Sequence, residues 1–231
     1  MALKNLIRGM IGLLVAIGPI NLWSANKAVK RAEHAARVLS EVMEAKDKAI
    51  PQELLSRSHC VAIIPGMKKV GFGFGGKYGR GVLNCRGKEG KGWTGPSAIR
   101  VEGGSFGFQI GGSSTDVVLL ILNEHGKHKL LSSKFTLGAD ASVAGGPVGR
   151  TAQAQTDVQM RAEILSYSRS RGVFAGVSVE GATLRPDSQA NMKIYGRKVS
   201  AKQVLLGEVP SPPSTEKLTT TLNKYSSSEH R

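Results

Sequence analysis

The chemistry this chain of 231 residues can do is carried by its cations. Lys68 and Lys69 lead into a glycine-rich run, Lys77 and Arg80 lie within it, and Arg86, Lys88 and Lys91 crowd the stretch ending at Trp93. Upstream, Lys27, Lys30, Arg31, His34 and Arg37 gather on one flank of a helical pattern. Clustered ammonium and guanidinium groups pair with phosphates, and an indole beside them suits the depth of lipid headgroups. The bland alternative is that these side chains only solvate loops and a helix surface. With 32 Lys and Arg against 17 Asp and Glu, the net charge of +15 attracts phosphate on nucleic acid and on lipid alike. Aromatic residues make up only 5% of the chain, so stacking platforms for single-stranded nucleic acid are scarce.

Covalent chemistry has no comparable candidate. No HExxH frames the histidines, and His59 and the His125, Lys127, His128 group read as surface or strand-end positions. The segment GFGFGGKYGRG shares only its glycines with a phosphate loop, because Tyr78 follows Lys77 where Ser or Thr is required. Thr115 and Asp116 in GGSSTD are expected to shape a turn through their own backbone. No CxxC or Cys/His cluster offers a zinc site, and no cofactor is expected. The pattern is that of a binding scaffold rather than an enzyme.

The two cysteines bear on compartment. Cys60 and Cys85 flank the strand-like CVAIIP and GVLNC. A disulfide suits an exported protein, and two buried thiols packing as small hydrophobes suit a reducing one. At the N-terminus, Lys4 and Arg8 precede an uncharged run from Gly9 to Trp23 that is shorter than the ~20 residues of a spanning helix. The run fits an export signal. Trp23 stands where a cleavage site prefers a small side chain, which keeps an uncleaved anchor as the alternative. Residues 1–25 are therefore expected to direct the chain to the periplasm or cell envelope.

Several elements must position the cations. A helix is predicted over about Ala25 to Lys48, with Ala28, Ala32, Ala35, Leu39 and Val42 on one face. Pro51 opens a short helix, PQELLSR. Strands follow, and glycine at 29 residues is nearly double the usual ~7%. VGFGFGGKYGRGVLNC and SFGFQIGGSSTDVVLLILN repeat one scheme: a phenylalanine-bearing strand, a glycine pair, a polar bend and an aliphatic strand. KFTLGADASVAGG and GVFAGVSVEGATL have related texture, so several bent hairpins are expected.

Thr156 with Gln159 predicts a capped helix running to about Arg169, with Val158, Ala162 and Leu165 inward. Ser200 with Gln203 predicts another, ended by Gly207. PSPPS at 210–214 reads as a stiff linker to a peripheral tail carrying Leu218, Leu222 and Tyr225. The expected class is α+β: a glycine-rich, mostly antiparallel bent sheet, or a small barrel or sandwich, with flanking helices, as one domain over 26–208.

Successive blocks in one order carry a resemblance. AIIPGMKKVGFGFGGKYGRGVL, GWTGPSAIRVEGGSFGFQIGGSSTDVVLLILN, LLSSKFTLGADASVAGGPVGR, AEILSYSRSRGVFAGVSVEGATLRPD and NMKIYGRKV together resemble the SYLF lipid-binding domain over roughly Ala32 to Gly207. The resemblance implies a non-enzymatic domain that binds anionic lipid, phosphoinositides among them in eukaryotic members. Some fungal and animal members join it to an SH3 module at actin-rich membrane sites. With its export-type N-terminus, this chain is more similar to the bacterial secreted members, for which the anionic lipids are phosphatidylglycerol, cardiolipin or lipopolysaccharide. The expected partner is anionic membrane lipid, with an acidic protein or polysaccharide as the alternative and nucleic acid disfavoured.

Overall fold

The computed structural model describes residues 20–45, 49–72, 74–106, 111–132, 134–148, 161–170, 173–176 and 179–226. Two helices, α1 (Ile20–Met43) and α2 (Gln52–Arg57), precede strands β1 (Cys60–Phe72), β2 (Phe74–Cys85), β3 (Ser97–Phe106) and β4 (Gly111–Ile121). Then come α3 (Glu124–Leu130), β5 (Phe135–Thr136), β6 (Val143–Gly145), β7 (Ile164–Ser170), β8 (Val173–Gly176) and β9 (Thr183–Pro186). Three helices close the chain: α4 (Ser188–Tyr195), α5 (Ala201–Leu205) and α6 (Glu216–Ser226).

The class is α+β, with a mostly antiparallel sheet in the order β5-β9-β3-β2-β1-β4-β7-β6 and β8 on the outer edge of β7. Its first four strands do not form two hairpins. β3 pairs with β2 and β4 with β1, so β3 and β4 flank the β1–β2 hairpin in Greek-key order. The repeat seen in the sequence reflects matched strand textures, not matched pairings.

The sheet must curl. Its terminal strands β5 and β6 are separated by residues 137–142 alone, with a bridge between Leu137 and Ala141. That tether spans at most ~25 Å, whereas eight flat strands are ~34 Å across. A curled half-barrel satisfies both. Glycine permits the close approach: a Cβ on Gly81 would lie 2.3 Å from the Ile63 carbonyl oxygen.

Both faces are buried, which is why the strands read as near-continuous apolar runs. Val61, Ile63, Val82, Val118, Leu120, Leu165 and Tyr167 pack beneath α1, α2 and α6. The alternate residues Ala62, Ile64, Leu83, Ile99, Val101, Val117, Leu119 and Ile164 fill the inside of the curl with Phe135, Leu137 and Leu184. The predicted stripe of α1 (Ala28, Ala32, Ala35, Leu39, Val42) is buried throughout, and the helix ends at Met43 rather than Lys48.

Two expectations are corrected. Ile164–Ser170 is strand β7, not the end of a helix. It pairs with β4 and alternates Ile164 and Leu165 into opposite cores, so two-sided burial overrides the helical reading. The capping box at Thr156 and Gln159 lies outside the described residues. The tail is core rather than periphery: Leu218 and Leu222 are 0% exposed, and α6 packs on α1. By contrast, the capping box of Ser200 and Gln203 forms as read, and Gly207 follows at φ +70°. The export segment falls on residues 1–19, outside the described residues, and on the start of α1.

Candidate functional site

Strand β1 carries one residue more than either neighbour. From Ile63 to Lys68 is five steps, opposite four from Val82 to Tyr78 on β2; from Ile64 to Met67 is three, opposite two from Val117 to Thr115 on β4. The surplus forms a bulge at Pro65 and Gly66, where Gly66 takes the left-handed φ of +60° that a side chain would strain. The bulge is pinned from outside. Asp116 Oδ1 accepts the Gly66 N–H at 2.8 Å, and Asp116 Oδ2 accepts Arg169 Nε at 2.9 Å and Nη2 at 2.6 Å. Arg169 Nη1 also bonds Glu41 on α1. One carboxylate and one guanidinium thus join β4, β7, α1 and the bulge. Asp116 does not shape a turn of its own; it fixes a neighbouring strand.

The bulge changes which residues face the helix. Before it, odd-numbered Val61 and Ile63 point toward α1 and even-numbered Ile64 into the curl. After it, Met67 enters the curl and Lys68 comes to α1's side. A one-residue shift reverses the face of every side chain that follows.

Lys68 there meets the basic flank of α1. Lys27, Lys30, Arg31 and His34 from α1, Pro65, Gly66 and Lys68 from β1, and Tyr78, Gly79 and Arg80 from β2 line a groove of ≈440 Å³. No carboxylate stands among these lining residues. Arg80 Nε donates to Tyr78 Oη at 2.7 Å, a bond that raises the Arg80 pKa. Burial, and then the nearby Arg80, lower that of Arg31, whose Nη1 is buried with no hydrogen-bond acceptor among the described residues. Asp187 lies behind, its Oδ2 3.9 Å from Arg80 Nε, while its Oδ1 caps α4 through Ala190 N. The groove continues past His34 and Pro65 into a recess of ≈320 Å³ lined by Arg37, Glu41, Asp116 and Arg169, where acids balance the charge.

The remaining cations divide. Lys69 pairs with Lys77 across the β1–β2 ladder, and the alternation of strand side chains sets both opposite Lys68 and Tyr78. Burial and Lys69 lower the Lys77 pKa, and Glu180 partly offsets them. Arg86 is occupied structurally. Its Nη2 donates to Ser56 O at 2.8 Å and its Nε to Ser58 O at 3.3 Å, closing the end of α2. Its guanidinium also stacks 4.2 Å above the Trp93 ring. Trp93 is 8% exposed, and its Nε1 donates to Ser226 Oγ at 2.8 Å. Its place is beneath α6 in the core, not at a surface, because the C-terminal helix covers it. Lys91 is exposed, 3.4 Å from Glu89, and the Lys88 side chain lies outside the described residues.

Cys60 and Cys85 are directly opposite in the β1–β2 ladder and are joined as a disulfide in the structure. Among the described residues, no group of His, Cys, Asp and Glu could hold a metal ion, and no helix is long and apolar enough to cross a membrane.

Asp116, Arg169, Asp187 and Tyr78 were missed as parts of this site. Asp187 had a local signal, since Asp before SQANM is an N-cap pattern. The roles of the other three depend on strand pairing that no local pattern shows.

Comparison with known proteins identifies the family. A family model described as "Ysc84: Las17-binding protein actin regulator" matches residues 102–225. LAS seventeen-binding protein 3 of Saccharomyces cerevisiae is 38% identical over 193 residues, covering 80% of this chain and 41% of that protein. Protein YSC84 of the same yeast is 38% identical over 175 residues, 74% of this chain and 37% of that one. SH3 domain-containing YSC84-like protein 1 of Homo sapiens is 32% identical over 200 residues, 84% of this chain and 58% of that protein. The chain thus spans about half the length of these relatives. The family match covers more than half of the chain, and the relatives align along most of it: the chain belongs to the Ysc84/SYLF domain family.

Proposed function

We propose that the protein binds anionic phospholipid at a membrane surface, without catalysis, through the groove between α1 and the β1 bulge. The observation that carries this reading is the convergence of Lys27, Lys30, Arg31, Lys68 and Arg80 from three elements on one groove that no carboxylate lines. Each such cation near an anionic surface contributes about 1 kcal/mol. Burial, and then repulsion from Arg80, lower the Arg31 pKa, and a bound phosphate offsets both. Elsewhere Arg86 is engaged in closing α2, and Lys77 lies near Glu180.

Co-sedimentation of the protein with vesicles of rising anionic content, at low and high salt, tests the reading. Binding is expected to grow with headgroup charge and to fade as salt shortens the screening length from ~10 Å at 0.1 M to ~3 Å at 1 M. Equal binding to purely zwitterionic vesicles at high salt would overturn it.

A second reading is favoured by the family's description as Las17-binding and actin-regulating: an acidic protein occupying the same groove. Anionic vesicles would then compete with that partner. For location, we propose export to an envelope membrane, supported by the charged-then-apolar N-terminal sequence and by the paired cysteines. Fractionation of the native-source protein tests it, and recovery in the cytoplasm with both thiols free would refute it.

A further inference from the structure

Beyond Met67 and Gly79 the sheet leaves its core. β9 follows β3 only as far as Glu102, and β7 follows β4 only from Asp116. Past those points β3, β2, β1 and β4 continue as a four-stranded blade, with Lys77 opposite Gly103, Lys69 opposite Ser113 and Gly71 opposite Gly111. No side chain described in the blade is buried. Val70 is 63% and Tyr78 45% exposed, two of the three large hydrophobics exposed among the described residues. Stretches 68–78, 103–106 and 111–114 contain three lysines, Val70, Tyr78, three phenylalanines, and otherwise only glycine and serine. They contain no Asp or Glu. The backbone register sets Phe72 opposite Phe74 and Phe74 opposite Phe106.

We infer that this blade is the element that enters the membrane interface, while the groove at its root holds the phosphates. The inference rests on the lipid reading above and adds where and how deep the protein seats. Exposed Val70 and Tyr78 among lysines, with acids only at the root, where Glu102 pairs with Tyr78 and Glu180 lies near Lys77, match the boundary between headgroups and acyl chains. The blade is also continuous with the groove, since Lys68 and Tyr78 belong to both. Depth is limited by the backbone. Among the described residues no strand covers the outer edges of β3 beyond Glu102 or β4 before Asp116. Their N–H and C=O groups need water or headgroup partners, which the hydrocarbon interior does not supply. The blade therefore dips to the boundary and does not span.

The test places a reporter at Val70. Val70→Trp is mixed with vesicles of phosphatidylglycerol and phosphatidylcholine, and its extra emission relative to the parent protein is followed. A blue shift, with quenching by lipids brominated high on the acyl chain, is expected. Val70→Glu should weaken vesicle partition roughly tenfold, the worth of one buried valine. If the parent binds vesicles but the added indole emission is unshifted and Val70→Glu binds as the parent does, the blade inference fails and the groove reading stands. If Val70→Glu alters self-association without altering vesicle binding, the blade is a contact between copies, which also overturns it. If the parent binds no anionic vesicle, both readings fall together.

Discussion

Asp116 and Gly66 are fifty residues apart in sequence, yet the Asp116 carboxylate accepts the Gly66 N–H at 2.8 Å. This contact holds the β1 bulge in place, and the bulge decides that Lys68, not Lys69, faces α1. Asp116→Ala removes that acceptor and leaves Arg169, a partly buried guanidinium, with one carboxylate fewer. A loss of about 2–3 kcal/mol in stability is expected from urea unfolding. Gly66→Ala forces a side chain into the left-handed region and should cost about 1–2 kcal/mol. Unfolding curves matching the parent for both variants would show that the bulge does not depend on this pin.

The C-terminal helix is expected to behave as core. Leu222→Ala should cost about 2–5 kcal/mol, as large-to-small changes at fully buried leucines do. Thermal unfolding measures it. A neutral result would return α6 to the periphery and expose Trp93.

The disulfide closes a loop between residues 25 apart in sequence. The chain-entropy model assigns such a loop roughly 3 kcal/mol, which for a domain of this size is roughly 6–12 °C in Tm. Reduction should lower Tm by that amount. Thiol labelling of the denatured, unreduced native-source protein should find no free thiol, and two labels per chain would contradict the pairing.

Acid should loosen the far end of the sheet. Burial raises the Glu163 pKa, but hydrogen bonds with His125, Ser142 N and Asn123 outweigh it and leave the group below its ordinary 4.5. A carboxylate depressed in the folded state stabilises above the unfolded value, and that contribution is lost as pH falls through the folded one. Stability should therefore drop below about pH 4.5, and less steeply in Glu163→Gln. Parallel pH profiles of parent and variant would remove Glu163 from the account.

The α+β class, the buried stripe of α1 and the family were legible because they rest on local periodicity and ordered blocks. The cations of the groove were legible one by one, and the sequence even grouped Lys27, Lys30 and Arg31. What it could not show was that these three meet Lys68 and Arg80, because that meeting depends on a bulge whose parity shift leaves no local trace. β7 was misread because a strand buried on both faces lacks the alternation that marks a half-exposed one. Trp93 was placed outside because nothing near it announces that a helix from residue 216 onward covers it.

The central claim is that the α1–bulge groove holds anionic lipid. Its most direct test is vesicle co-sedimentation of the variant carrying Lys27→Glu, Lys30→Glu, Lys68→Glu and Arg80→Glu, beside one carrying Lys91→Glu and Lys193→Glu. The groove variant should lose at least a hundredfold in affinity for anionic vesicles, given about 1 kcal/mol per cation, with a nearly unchanged melting temperature. The second variant should bind within a few-fold of the parent. Normal binding by the groove variant, or an equal loss in both, would contradict the account.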